Sequence, residues 1–174
     1  MIDLLKTRRS IRKYKNKEIE KEKVDTLLKA ALLAPTSMGK RSWEFIAVTN
    51  KNLISELSTA RKMGSQFLKG APLVIVVVEN PEATDAYIED GAIASTLIQV
   101  TAHSIGLGSC WCHVRNRDRS DDETTDAFIK TLLNIPENLK VECMLGIGYP
   151  DEERKAYTDE DLALNKLHYD KYSK

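Results

Sequence analysis

The chain has 174 residues, 42% of them hydrophobic, and its 26 Lys and Arg are matched by 26 Asp and Glu. That length makes one domain whose core needs no metal or disulfide staple. Zero net charge leaves no chain-wide basic field for nucleic acid or an anionic membrane, so neither is expected as a partner.

The first informative segment is Thr7-Arg8-Arg9-Ser10-Ile11-Arg12-Lys13-Tyr14, which follows a short N-terminal helix and packs four cations and a hydroxyl into six residues. In a neutral chain such a cluster suits one small dianion held at short range, because arginine forks match phosphate oxygens. A solvated basic turn is the alternative. Residues 20 to 34 place Val24, Leu27, Leu28, Ala31 and Leu32 at helical spacing and stop at Pro35. Trp43 then reads as a core residue, and Phe45 to Thr49 as a strand. Asn50 is placed to cap a helix over 51 to 62 that buries Leu53, Ile54 and Leu57.

Gly70-Ala71-Pro72 breaks the chain before Leu73 to Val78, an unbroken apolar run that reads as a buried central strand. A helix over Asp85 to Ser104 is expected to turn Ile93, Leu97 and either Thr101 or Val100 to the core. It ends at Gly106-Leu107-Gly108, where glycine permits a left-handed path. Ser109 to Val114 reads as a strand, residues 122 to 133 as a helix burying Phe128, Ile129 and Leu132, and Val141 to Ile147 as the last strand. The tail from Asp151 to Lys174 has Leu162, Leu164 and Leu167 to bury and cannot form its own core. It is either a frayed terminus or a wrap over a neighbour, which in a one-domain chain is a second copy.

The first residues, Met1-Ile2-Asp3-Leu4-Leu5-Lys6, show no export pattern, and Leu73 to Val78 is far short of the roughly 20 residues that span a bilayer. Three cysteines, Cys110, Cys112 and Cys143, fit a reducing compartment, and a cytoplasmic protein is expected. Cys110-Trp111-Cys112-His113 suggests a metal site, yet on a strand its cysteines face one side and Trp111 and His113 the other, so buried thiols are expected and no metal. His103, His113 and His168 stand in no protease or nucleophile-elbow motif. Gly106 and Gly108 lack the third glycine of a dinucleotide fingerprint. A phosphate cluster without an evident acid, base or nucleophile points to a bound cofactor as the carrier of the chemistry, with no catalytic side chain.

Four motifs occur in order: Arg8-Arg9-Ser10-Ile11-Arg12; Ala34-Pro35-Thr36-Ser37-Met38 with Trp43 five residues on; Gly106-Leu107-Gly108-Ser109-Cys110-Trp111; and Gly146-Ile147-Gly148-Tyr149-Pro150. In that order and spacing the chain resembles a compact member of the FMN-dependent nitroreductase family over essentially its whole length. The resemblance implies an α+β fold, a three-layer α/β/α arrangement with a mixed, largely antiparallel sheet. It also implies an intertwined homodimer with two FMN at the subunit interface, and an oxidoreductase passing hydride from NADH or NADPH through flavin N5 to a nitroaromatic, quinone or similar small electron acceptor.

By the same resemblance Arg8, Arg9 and Ser10 hold the FMN phosphate and ribityl chain, and Arg12 reaches the pyrimidine edge. Pro35, Thr36, Ser37 and Met38 belong to the segment laid on the ring by the other subunit, and Gln66 contacts the pyrimidine. Leu107 and Gly108 pass over the ring with a backbone N–H toward N5, while Lys155, with Arg154 beside it, matches a late cation on the phosphate; a solvated salt-bridging role for these two stays open. The chain departs from the common family pattern at Gly39, Arg41 and Ser42. Reductive dehalogenation, flavin fragmentation, or flavin binding without turnover are the alternatives that this departure keeps open.

Overall fold

The computed structural model describes residues 1–172. Its five helices are α1 (Ile2–Thr7), α2 (Lys21–Leu32), α3 (Lys51–Leu57), α4 (Tyr87–Ser104) and α5 (Thr125–Leu133). The strands are β1 (Trp43–Val48), β2 (Leu73–Glu79), β3 (Gly108–His113) and β4 (Lys140–Gly148), in one sheet of order β1-β2-β4-β3. All three strand pairings are antiparallel, and the parallel element is an isolated bridge from Ser10 to Ser109.

The sheet is the middle of three layers. On one face Val74, Val76, Val78 and Met144 pack with Ile54 and Leu57 of α3 and Ile129 of α5. On the other, Leu73, Ile75, Val77, Leu145 and Ile147 pack with Leu27 and Ala31 of α2 and Ile98 and Ala102 of α4. Helices on both faces explain why β2 is apolar at consecutive positions and buried along its whole length. At its C-terminal end the register with β4 shifts between Val77 and Val78, so Glu142 falls at a bulge opposite the strand that ends in the buried Glu79.

Two expectations need correcting. The third helix ends at Leu57 rather than near residue 62, because Ser65 takes over the backbone groups beyond it: its hydroxyl donates to the Ser58 carbonyl at 2.8 Å and accepts from the Arg61 N–H at 3.2 Å. The rotation of α4 also differs. Gly91, Ala94, Ser95, Ile98 and Ala102 face inward, while Ile93 is 40% exposed. The polar and apolar residues of α4 are spread around its circumference, so no single polar face fixes its phase, and here size decides: small residues let α4 approach the sheet and α2.

Candidate functional site

The basic segment is nailed down at its apolar positions, while its arginines stay half-buried or exposed. After α1 the backbone turns extended at Arg8, and Ile11 donates to the Ser109 carbonyl at 3.0 Å, laying the chain along β3. Ile11 and Tyr14 are buried, and the Tyr14 hydroxyl lies 2.5 Å from the Ile11 carbonyl and 2.9 Å from that of Gly146. Burial pushes that phenol well above its usual range, so it serves as a neutral brace. Arg12 is left exposed, with Arg8 and Arg9 half-buried. Among the described residues none of the three is in an ion pair.

The tail folds back along this segment. Tyr157 donates to the Lys6 carbonyl at 3.0 Å, Lys6 pairs with Asp159 at 2.6 Å, and Asp151 donates to the Lys13 carbonyl at 3.0 Å. Arg9 donates to the Lys155 carbonyl and lies 4.2 Å over the Tyr157 ring. Arg154 pairs with Glu152, whose other oxygen accepts from the backbone of Arg12 at 2.5 Å and Lys13 at 3.1 Å. Those backbone donors hold the Glu152 carboxyl below its usual range. So the structure brings Lys155 beside Arg9 through its carbonyl, its own side chain being exposed, and occupies Arg154 in an ion pair.

Across from Arg8 the end of α4 meets β3. His103 stands 2.8 Å from the Thr7 hydroxyl, and burial first, then the Arg8 charge, push its imidazole below the usual range. Gly106 is left-handed at φ 80° with open space where a Cβ would project. Leu107 buries its side chain, so what this turn presents outward is backbone. Arg8, Arg9, Ser10, Arg12, Leu107, Gly108 and Lys155 thus share one end of the sheet.

Pro35 to Met38 and Gln66 are held elsewhere. The Gln66 side-chain oxygen accepts from the Gly64 N–H at 2.8 Å, and among the described residues no hydrogen bond joins it to the arginines. The segment after α2 is a tight loop with three left-handed residues, Met38 (φ 49°), Gly39 (φ 69°) and Arg41 (φ 50°), and it leaves Met38 90% exposed. The Ser37 N–H donates to Asp90 Oδ1 at 2.9 Å, and the Arg41 N–H to the Thr36 hydroxyl at 3.2 Å. Ser42 is buried beneath, its hydroxyl 2.8 Å from Glu79 Oε2 and 3.4 Å from Asp90 Oδ2.

This buried carboxylate pair escaped sequence reasoning, because Glu79 reads as the first solvated residue after an apolar strand. A charged side chain directly continuing that run was the available signal. Burial pushes the Glu79 carboxyl up to about 8, against the Ser42 hydrogen bond, with Asp90 and Glu142 adding to the rise. Glu142 is pushed up to about 7, also by burial, with Arg115 opposing. Cys110 and Cys112 are buried free thiols, as expected for that strand, Cys143 is a third, and Trp43 is core, packed with Ala34 and Ala94. Among the described residues no helix is long and apolar enough to cross a membrane.

The model of the Nitroreductase family matches residues 5–64 and 56–149. The solved structure of an FMN-dependent nitroreductase from Clostridium difficile R20291 is 53% identical, with a TM-score of 0.98 over 99% of this chain and 100% of that one. A relative from Archaeoglobus fulgidus, provisionally named an NADH dehydrogenase/NAD(P)H nitroreductase, is 33% identical over 98% of each chain. An iodotyrosine deiodinase from Thermotoga neapolitana is 24% identical over 94% of this chain and 96% of its own. With the three-layer fold in place and the family's model and near relatives spanning it, the chain belongs to the nitroreductase family.

Proposed function

We propose that the protein is an FMN-dependent oxidoreductase that takes hydride from NADH or NADPH and passes it to a quinone, nitroaromatic or similar small electrophile. Family membership carries the enzyme class and the FMN and NAD(P)H pair. The observation that supports a site here is the fixing of Arg8, Arg9, Ser10 and Arg12 against the Gly106–Gly108 turn by the Ser10–Ser109 bridge and the Ile11–Ser109 hydrogen bond. The residues fit the cofactor: three arginines without a carboxylate partner among the described residues match a phosphate dianion, and the open backbone at Gly106 leaves room beside them.

In this reading FMN supplies the hydride-carrying atom. Arg8 and Arg9 would hold its phosphate with Ser10, Arg12 would supply a cation to the pyrimidine edge where charge develops, and the Gly108 backbone would supply an N–H to the ring. Lys155 adds its charge at the phosphate. Thr36, Ser37 and Met38, with Pro35 ahead of them, come from the partner subunit, and Gln66 reaches the pyrimidine. A homodimer is supported by what one chain leaves uncovered: Leu33, Met38, Leu164 and Leu167 are all more than half exposed. The whole chain acts as one FMN-binding domain whose tail, folded back on its own arginine segment over residues 151–159, turns Leu162, Leu164 and Leu167 to the partner. Its three unpaired thiols support a cytoplasmic setting.

The test is spectroscopic. The purified protein should carry about one FMN per chain, bleach anaerobically with NADH or NADPH, and regain its colour with a quinone. No bound flavin, or flavin unreduced by either nucleotide, sinks the reading. A second reading, reductive dehalogenation, is favoured by the deiodinase relative together with the unusual Gly39-Lys40-Arg41-Ser42 loop. Halide release from a halophenol by the reduced enzyme, with slow quinone turnover, selects it.

A further inference from the structure

Loop 36–42 is strained and exposed, yet both its ends are tied to the same buried acids. Ser37 donates its N–H to Asp90 and the Ser42 hydroxyl lies between Asp90 and Glu79, while the Ser42 carbonyl accepts from Asn80 at 2.8 Å. Glu79 is fully buried, and its Oε1 has no hydrogen-bond partner among the described residues. That oxygen lies against Gly91 so closely that a Cβ there would stand 2.3 Å away, so α4 is fitted around the carboxyl. An ionised, half-satisfied carboxylate in such a place is costly, whereas a protonated one has a donor to give.

We propose that Glu79 is a positioning residue for loop 36–42: through Ser42 and Asp90 it holds both ends of the loop while protonated, and releases them when it ionises. The protons fall into one direction. Glu79 donates its O–H from Oε2 to Ser42 Oγ, Ser42 donates to Asp90 Oδ2, and Asp90 Oδ1 accepts the Ser37 N–H. Loss of the Glu79 proton turns the Ser42 hydroxyl back to Glu79. Asp90 then loses a donor, and two carboxylates face each other with Glu142 beyond them.

The groups facing Glu79 agree with this. Asp90 on α4 and Glu142 on β4 both oppose its ionisation, and Ser42 favours it. On β1 its register partner is Trp43, whose indole N–H is buried without a partner among the described residues. Tyr87, Arg115 and Lys140 line with it a cavity of about 380 Å³, which gives protons a route to the carboxyl. That the loop bears on turnover rests on the function proposed above, whereas the clamp rests on these distances alone.

Hydrogen exchange of peptides covering 36–42, read by mass spectrometry and corrected for intrinsic rates, tests the clamp in the full-length protein. Between about pH 6.5 and about pH 9 the wild-type loop should lose roughly tenfold in protection, the worth of one hydrogen bond. Glu79→Gln, whose amide donates to Ser42 as the protonated acid does but cannot ionise, should keep its protection at both pH values. Ser42→Ala should be poorly protected at both. In turnover with a quinone, wild type should lose kcat/KM on the alkaline side and Glu79→Gln should not.

Equal wild-type protection at both pH values, a Glu79→Gln protein that follows the wild-type drop, or a Ser42→Ala loop as protected as wild type each overturns the proposal. If Glu79→Gln does not fold, the wild-type pair and Ser42→Ala decide. A protein that binds no flavin overturns the proposed function and leaves the exchange result standing.

Discussion

Ile11 lies so close to Gly108 that a Cβ added at 108 would stand 2.8 Å from the Ile11 Cβ. The contact is what seats the arginine segment on β3. Gly108→Ala therefore pushes the segment outward. Overpacking of this kind costs about 1–3 kcal/mol, and the denaturant midpoint should fall accordingly, with FMN affinity falling alongside it. A variant as stable and as yellow as wild type would show that the segment tolerates displacement.

The phosphate assignment predicts a large preference for FMN over riboflavin. Charge-assisted hydrogen bonds contribute roughly 1.5–3 kcal/mol each, so Arg9→Ala should weaken FMN by about ten- to a hundredfold and leave riboflavin nearly unchanged. Equal losses for both ligands would remove Arg9 from the phosphate. Arg12→Ala should still bind FMN but lower its reduction potential, measured by dye equilibration, because a cation at the pyrimidine edge favours the anionic reduced form.

Stability should fall as pH rises from about 6.5 to about 8. Glu79 has its folded value raised to about 8 from an ordinary 4.5, so over the interval between them the folded chain binds more protons than the unfolded one and loses stability with pH. Glu142, raised to about 7, adds to the lower part. His103 and His113, both lowered, act in the opposite sense below their ordinary 6.5, which leaves the upper window to the acids. The slope is at most about 1.4 kcal/mol per pH unit for each group. Urea midpoints measure it, and Glu79→Gln should flatten the curve; a midpoint that rises across the window contradicts the burial assigned to these carboxyls.

Removing the tail after Pro150 strips Arg9 of the Tyr157 ring and the Lys155 carbonyl, and Arg12 and Lys13 of the Glu152 carboxylate. Light scattering and the visible spectrum of the truncated protein should show loss of dimer and of flavin together. A yellow dimer at micromolar concentration would confine the site to the N-terminal arginines.

Much of this architecture was legible because patterning and packing agree. The run from Leu73 to Val78 became the central strand, Pro35 lies beyond the end of α2, and Asn50 caps α3 through the N–H groups of Asn52 and Leu53. The arginine cluster suggests an anion site from local sequence alone, an assignment that the FMN and riboflavin titrations test. What failed lies in long-range packing: the phase of α4 depends on which side is small enough to touch α2. The Glu79–Ser42–Asp90 arrangement joins three segments whose proximity no local pattern encodes.

The buried sulfurs have a consequence for wear. Burial raises all three thiols above their ordinary range, Cys112 to about 11, so almost no thiolate exists at neutral pH. Reduced flavin that meets oxygen yields peroxide, and peroxide attacks thiolates. The cysteines of this chain are withheld from that by-product, and oxidation falls instead on thioethers at the surface, Met38 and Met63 among them. In aged enzyme the first lesion should be a sulfoxide at Met38, the more exposed of the two, well before any oxidation in the core.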